Sequence, residues 1–468
     1  MSARRVQPEA SPAQARLGIA LAAVLGLAPL VVVPGLFDFA NLPQSAFLQM
    51  SATVLLAAAL ATPVWRLRGQ RPEWPPLAAP LLAWLAWSAL SCAWSPNPAL
   101  ALRLWWPWLA AATGYALLFH LADRGKDLRP VAAAALAAGA VMAVLGIGQA
   151  VWGWTFVPQA FPPSATFANK NIAAQFAVGV LPLGLAWMTG SRRDRAWAAL
   201  AMALLVVFVA LTRTRSAAAA VVVEALVLAA WWGRGRRWLW ATAAMAAAVI
   251  VAVIALQWRT ASAGSVARVS VEGRAAIWRN TLVMIREHPL IGVGLGAHSL
   301  VYPAYHRRAV VDPLFSPRTH LDFAHNDYLQ LTAEMGLVGV ALLAVLGAAF
   351  VRVIRDARAR SGGGEVALAA AVIASTAGLL TDALFSFPAY RALPPWLLAL
   401  DASVLAVLAR GPAPARGFLI DPRGRRQLLA GVAAGACVAL GIACSRWLRA
   451  DGHFEAARRA EARGDSAG

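Results

Sequence analysis

The chain has 468 residues, of which 60% are hydrophobic and only 14% charged, with a mean hydropathy of +0.61. Such a composition excludes a soluble protein of ordinary surface and places the chain in a membrane. The net charge of +20 would suggest a nucleic-acid partner in a soluble protein, but here the basic residues cluster between apolar runs, which points to membrane topology and no nucleic acid.

A bilayer core needs about 20 mainly apolar residues per helix, and about thirteen runs approach that length. They lie near 17–36, 45–65, 76–94, 99–121, 130–152, 172–189, 195–212, 216–232, 239–257, 328–351, 366–386, 394–409 and 428–447. Unpaired backbone polar groups are costly in lipid and the runs lack the alternation of a barrel, so the fold class expected is an all-α polytopic integral membrane protein. The first run follows Arg4, Arg5 and Arg16, and no clear small-residue cleavage site comes after it, so it reads as a retained helix rather than a signal peptide. Cys92, Cys437 and Cys444 fall within apolar runs and supply neither a disulfide framework nor a CxxC metal pattern.

Basic clusters stand at Arg66, Arg68 and Arg71; at Arg124, Lys126 and Arg129; at Arg192, Arg193 and Arg195; at Arg234, Arg236 and Arg237; at Arg352 to Arg360; and at Arg410 to Arg426. Counted from a cytoplasmic amino terminus, all of them fall on even-numbered turns, as the positive-inside rule requires. The expected organisation is helices one to nine over 1–257, a large outer loop over 258–327, helices ten to thirteen over 328–447, and a short outer tail over 448–468. Three outer segments break the charge rule: PQAFPPSATFANKN after the fifth run, LTRTRSA after the seventh, and the large loop itself. A loop of that length in a compact protein is usually functional or disordered. This one has helical spacing at Ile277, Trp278, Leu282 and Ile285 and then turns at HPLIGVGLG.

Where the large loop re-enters the membrane stands a polar quartet, His325, Asn326, Asp327 and Tyr328. Each candidate has a plain reading: Asn326 or Asp327 as a helix cap, His325 as an interfacial histidine, Arg213 and Arg215 snorkelling to headgroups, Arg274 and Arg279 as solvated loop residues. Their convergence on one membrane face favours chemistry. Arginine forks bind phosphate in bidentate geometry, and a histidine can take a proton near neutrality. Together they suit a phosphate-bearing substrate delivered through the membrane.

The phrase HNDYLQLTAEMGLVG, preceded by GRAAIWRNTLVMIREHPLIGVGLGAHS, resembles the signature region of the O-antigen ligase and O-antigen polymerase superfamily of bacterial envelope glycosyltransferases. SATFANKNIAAQF and LTRTRSAAAA resemble two earlier motifs of that family, so the likeness covers roughly residues 130–400. The resemblance implies a metal-independent, cofactor-free, inverting transferase that moves a glycan from undecaprenyl diphosphate to an acceptor hydroxyl on the periplasmic face of the inner membrane. In the ligases that acceptor is the lipid A core. It further implies His325 as the base and Arg215 and Arg274 as holders of the diphosphate. Arg213, Asn169, Lys170, Asn171, Arg279, Arg318, Asn326, Asp327 and Tyr328 are expected around them as substrate contacts. Lys170 departs from the pattern, standing where many relatives have proline. The seven histidines show no metal-ligand spacing. The thirteenth run and the Ala-, Arg- and Glu-rich tail exceed the usual twelve-helix ligase, so a polymerase or a protein O-oligosaccharyltransferase stands as the alternative. A lipid-linked glycan transporter would instead use Arg103, Asp382 and Asp401, but no internal repeat supports it.

Overall fold

The computed structural model describes residues 12–61, 74–122, 125–232, 266–313, 322–410 and 423–462. These form fourteen α-helices with short 3-10 turns and no strand, confirming the all-α membrane architecture. In chain order the helices are α1 Pro12–Leu27, α2 Asn41–Ala61, α3 Ala78–Ser91, α4 Pro98–Leu121, α5 Arg129–Val151, α6 Lys170–Val180 and α7 Arg192–Thr212. There follow α8 Arg215–Trp232, α9 Val266–Glu287, α10 His298–Val301, α11 Asp327–Arg360, α12 Glu365–Asp382, α13 Pro394–Arg410 and α14 Arg423–Ala462. Seven of them are long and apolar enough to cross a membrane: α2, α5, α7, α8, α11, α12 and the 427–461 part of α14. The expected ninth run, the basic clusters at 66–71 and 234–237, Arg124 and Arg318 lie outside the described residues.

At the centre α12 and α13 are enclosed by α4, α6, α8 and α11, and their inward faces are largely alanine. Small residues let helix backbones approach closely, which is how helices associate where lipid offers no hydrophobic driving force. Two apolar runs take a different form from that expected. The sixth ends its α-helix at Val180 and continues as a 3-10 segment, Leu181–Trp187, because Pro182 has no N–H to give an α-helical turn. The last runs unbroken to Ala462, with no boundary between the thirteenth span and the tail. Alanine, arginine and glutamate are strong helix formers, and Glu455 pairs with Arg458 and Arg459 at helical spacing. The extended helix docks on the 31–40 turn, where the Phe454 and Phe37 rings meet at 5.0 Å and Asp451 Oδ2 accepts from the Asp38 N–H at 3.0 Å.

The feature that places the site is a break in α11. Gly336 has φ 65° and ψ −172°, outside helical space and in the left-handed region favoured by glycine. The HPLIGVGLG segment passes through this break. Val293 and Gly294 N–H donate to the carbonyls of Ala333 and Glu334 at 2.9 Å each, while Leu337 and Val338 N–H donate to those of Pro289 and Leu290 at 2.8 and 3.2 Å. The indole N–H of Trp87 takes the remaining Met335 carbonyl at 3.0 Å. Backbone freed by a kink must find partners inside a membrane protein, and the loop provides them. A Cβ at Gly336 would collide with the Leu290 carbonyl, and one at Gly292 with the Glu334 backbone, so both glycines are required by close approach.

Candidate active site

Three elements outside the central helices carry the candidate cations. The first is the 158–169 loop, folded back on itself by Ala160 and Phe161 N–H bonds to the Ala168 carbonyl and pinned by Gln149, whose Oε1 accepts from Ser164 and Ala165 N–H at 3.1 and 2.6 Å. It delivers Asn169 as the cap of α6, its Oδ1 accepting from Asn171 N–H at 2.8 Å, with Lys170 as the first helical residue. The second is the tight α7–α8 turn, where Arg213 takes φ 55° and exposes its side chain, and Arg215 opens α8, also exposed. Thr214 ties the two elements together, donating to Asn171 Oδ1 at 3.0 Å, and Arg213 lies close enough to Lys170 for the two cations to repel.

The third element is α9, which carries Arg274. Burial lowers the pKa of this guanidinium, the neighbouring Arg215 lowers it further, and the Asp382 carboxylate works in the opposite direction. Asp382 is itself held by Gln175 Nε2 at 2.6 Å. Arg215 and Arg274, 59 positions apart in sequence, are therefore brought close together, with Asp382 near Arg274. One turn further along α9, Trp278 donates from its indole to the Ala324 carbonyl at 2.9 Å and fixes the approach to His325.

The histidine turn is held from every side. Ala324 N–H donates to Gln330 Oε1 at 2.8 Å, and Asn326 Oδ1 caps α11 through Leu329 N–H at 3.0 Å. Asp327 N–H donates to the Ala383 carbonyl at 2.9 Å, while its Oδ2 accepts from Ala389 N–H at 2.7 Å. Tyr328 hydroxyl donates to the Leu380 carbonyl at 2.9 Å. Asn169, Asn326, Asp327 and Tyr328, expected among the substrate contacts, thus spend polar groups on the backbone, because these positions are where helix ends must be satisfied. Between them His325 stands at φ 54°, a strained conformation for a residue with a Cβ. Its ring lies 5.2 Å from that of Phe387. Burial, then the Arg274 charge, then Arg391, lower its pKa to about 4, which leaves the imidazole neutral at physiological pH. Arg279, by contrast, is exposed on α9, five positions from Arg274 and so on another face of the helix.

Sequence reasoning missed three participants. Arg391 sits over the Phe323 and Phe387 rings at 5.2 and 4.6 Å and acts on His325. It is the basic residue in the turn SFPAYRALP, which the charge rule assigns to the outer side, and that breach of the rule was the available signal. Glu334 is fully buried and accepts from Gly296 N–H at 2.9 Å, His298 N–H at 3.3 Å, Gln330 Nε2 at 3.2 Å and Tyr390 hydroxyl at 2.7 Å, joining the glycine loop to α11. His298, equally buried, faces Thr281 Oγ1 at 3.1 Å, and burial followed by the nearby His325 lowers its pKa to about 4. No pattern in the sequence distinguished these two from ordinary loop and helix residues. Asp382 and Asp401, weighed for a transport path, are separately engaged: Asp382 in the arginine site, and Asp401 with Ser375 and Thr376 at 2.7 and 3.1 Å.

Beside the histidine turn α3, α4, α11, α12 and α13 enclose an apolar cavity of about 360 Å³, with Leu81, Trp84, Trp108, Phe350 and Leu398 on its walls and Asp327 and Tyr328 in its lining. Residues 200–344 match the family model described as O-antigen ligase. Over that segment, about a third of the chain, the protein is similar to the O-antigen ligase and polymerase superfamily. The match, with the seven apolar helices, supports a multi-pass membrane glycosyltransferase of ligase or polymerase type. No curated protein sequence matches it. The ligase segment includes Arg213, Arg215, Arg274, Arg279 and the quartet from His325 to Tyr328, whereas Lys170, Asp382 and Arg391 lie outside it and are joined to it by the fold alone.

Proposed function

We propose that the protein transfers a glycan from undecaprenyl diphosphate to a hydroxyl of the lipid A core, on the periplasmic face of the inner membrane, with inversion and without a metal. The observation that carries the reading is the neutral His325 standing beside Arg274, which is itself paired with Arg215. In this reading the diphosphate lies between the two guanidiniums, with Arg213 and Lys170 adding charge at its edge. The apolar cavity beside the histidine turn receives the first part of the polyprenyl chain, whose hydrocarbon matches its lining.

The acceptor oxygen attacks the anomeric carbon from the face opposite the diphosphate. As the new C–O bond forms, the bond from carbon to phosphate oxygen breaks, the diphosphate leaves with that electron pair, and the acceptor proton passes to His325. Fixed guanidiniums aimed at the departing oxygen stabilise charge that appears only as the bond breaks. The bound diphosphate also offsets the two arginines, so the basicity of His325 rises when the donor is in place. Two relatives in mechanism, an O-antigen polymerase and a protein O-oligosaccharyltransferase, would use the same site and differ in the acceptor alone.

The glycan profile of a deletion strain tests the reading. Ligation predicts loss of all polymer from the lipid A core while polymer accumulates on its carrier. A core bearing a single repeat unit would instead show failed polymerisation and overturn the ligase assignment.

A further inference from the structure

A second cavity, of about 320 Å³, has Phe323 in its lining and differs in character from the first. One wall is a stripe on α2, Asn41, Ser45 and Gln49, each four positions from the last and so on one helix face. Polar side chains in a helix apolar enough to span a membrane point inward and mark function. Gln49 is 3% exposed, and its Nε2 donates to Ser45 Oγ at 2.8 Å, yet its Oε1 is buried with no hydrogen-bond partner, as is Nε of Arg391, which also lines the cavity. Leaving such atoms unpaired is costly, and a bound ligand would remove that cost.

Another part of the lining comes from α14, which lies wholly beyond the segment matched by the family model. Trp447 lines the cavity there, with the Arg103 guanidinium 5.8 Å from its ring, and is anchored by packing of Leu440 and Cys444 on Ala46 of α2. Charge in the lining is mixed: Asp38, Asp322 and Glu334 stand against Arg103 and Arg391. That balance contrasts with the cationic face of Arg213, Arg215 and Arg274, to which a diphosphate is drawn. An indole face, amides, hydroxyls and carboxylates together match a hydroxylated ring, which offers C–H groups to the indole and O–H groups to the acceptors.

The cavity also communicates with the base. Phe323 lines it, Phe387 stacks on Phe323 with ring centroids 4.2 Å apart, and His325 contacts Phe387. Arg391 lies over both phenylalanines, lines the cavity and acts electrostatically on His325. We propose that this cavity is the acceptor subsite, holding the sugar whose hydroxyl is presented to His325, and that Trp447 of the carboxyl-terminal helix is its stacking platform. The proposal rests on the glycan-transfer reading given above.

The test uses full-length protein in lipid nanodiscs and a radiolabelled, delipidated core oligosaccharide from the parent strain. Equilibrium binding of the oligosaccharide is measured without donor, and transfer kinetics are measured with carrier-linked glycan and intact core lipid. Trp447→Ala and Gln49→Leu are each expected to weaken oligosaccharide binding about tenfold or more and to raise the acceptor KM in proportion, with the donor KM unchanged. Trp447→Phe, which keeps a stacking ring, is expected to remain near wild type, and Arg215→Lys to bind the oligosaccharide normally. Wild-type binding in both cavity variants, no binding by the wild-type protein, or a rise in donor KM instead of acceptor KM would overturn the assignment. Wild-type protein that binds the oligosaccharide through Trp447 and Gln49 but transfers nothing would uphold the sugar subsite and sink the transfer reading. Undiminished transfer by both variants would do the reverse.

Discussion

His325 shows why a residue's role depends on what surrounds it. As an interfacial histidine with an ordinary pKa it would be partly protonated at neutral pH; burial and the flanking Arg274 and Arg391 hold it neutral, with a pKa of about 4. A base must be deprotonated to act, so a lowered pKa extends activity to lower pH. The acid limb of kcat/KM, which reports the free enzyme, is expected near pH 4 rather than near 6.5. Arg391→Gln removes one flanking charge, and the limb should move upward in a pH profile. His325→Ala should reduce transfer by roughly 10²- to 10⁴-fold while donor binding survives. His325→Asn, which keeps a hydrogen-bonding group but no basic nitrogen, should be equally impaired; an active Asn variant would return the residue to a structural role. Arg215→Lys and Arg274→Lys should each cost about 10²-fold in transfer at normal membrane insertion, because a point charge does not reproduce a bidentate fork. Full activity in chelator-treated protein is expected alongside, and a strict need for added divalent metal would contradict the assignment of leaving-group charge to the arginines.

At the level of elements, the broken helix α11 and the glycine loop form one unit. The break at Gly336 exposes backbone that the 289–294 segment satisfies, and Glu334 fastens the same loop through Gly296 and His298. The histidine turn is thus fixed at both ends, by Trp278 before it and by the anchored half-helix after it. Gly336→Ala places a Cβ against the Leu290 carbonyl at a left-handed φ, so a loss of about 1–3 kcal/mol is expected. Thermal unfolding of the detergent-solubilised variant measures it, and an unchanged Tm would show that the loop yields without cost. Gly347, further along the same helix with open space around it, is the control: Gly347→Ala should leave Tm unchanged or raise it slightly.

For the whole molecule, the arginine pair, the histidine turn and the second cavity all lie at one end of the helical bundle, with the α11–α12 turn at Gly363 at the other end of the long α11. The basic cluster at Arg352 to Arg360 adjoins that turn. A reporter fused after Gly363 is expected to read cytoplasmic, and one fused near Ala304 periplasmic. The opposite result at either position would remove the common outer face on which the transfer reading depends.

The sequence by itself determined the membrane class and the helical fold, because apolar run length and the cost of unpaired backbone in lipid leave few alternatives. It also brought forward Arg213, Arg215, Arg274 and Arg279, through charge that violates the positive-inside rule, and singled out Arg215, Arg274 and His325 through the family resemblance. What it did not disclose was pairing across distance. Asp382, in the twelfth helix, had a place in the sequence only under the transporter alternative, whereas the fold sets it beside Gln175 and Arg274. Glu334 looked like one more polar residue before an apolar run, whereas its buried carboxylate collects four donors, two from the glycine loop, one from its own helix and one from Tyr390. Trp447 and Gln49 lie almost 400 positions apart and share a cavity only because α14 packs on α2. Local composition sets which segments enter the membrane; which side chains then meet is decided by helix packing, whose contacts leave no periodic trace in the chain.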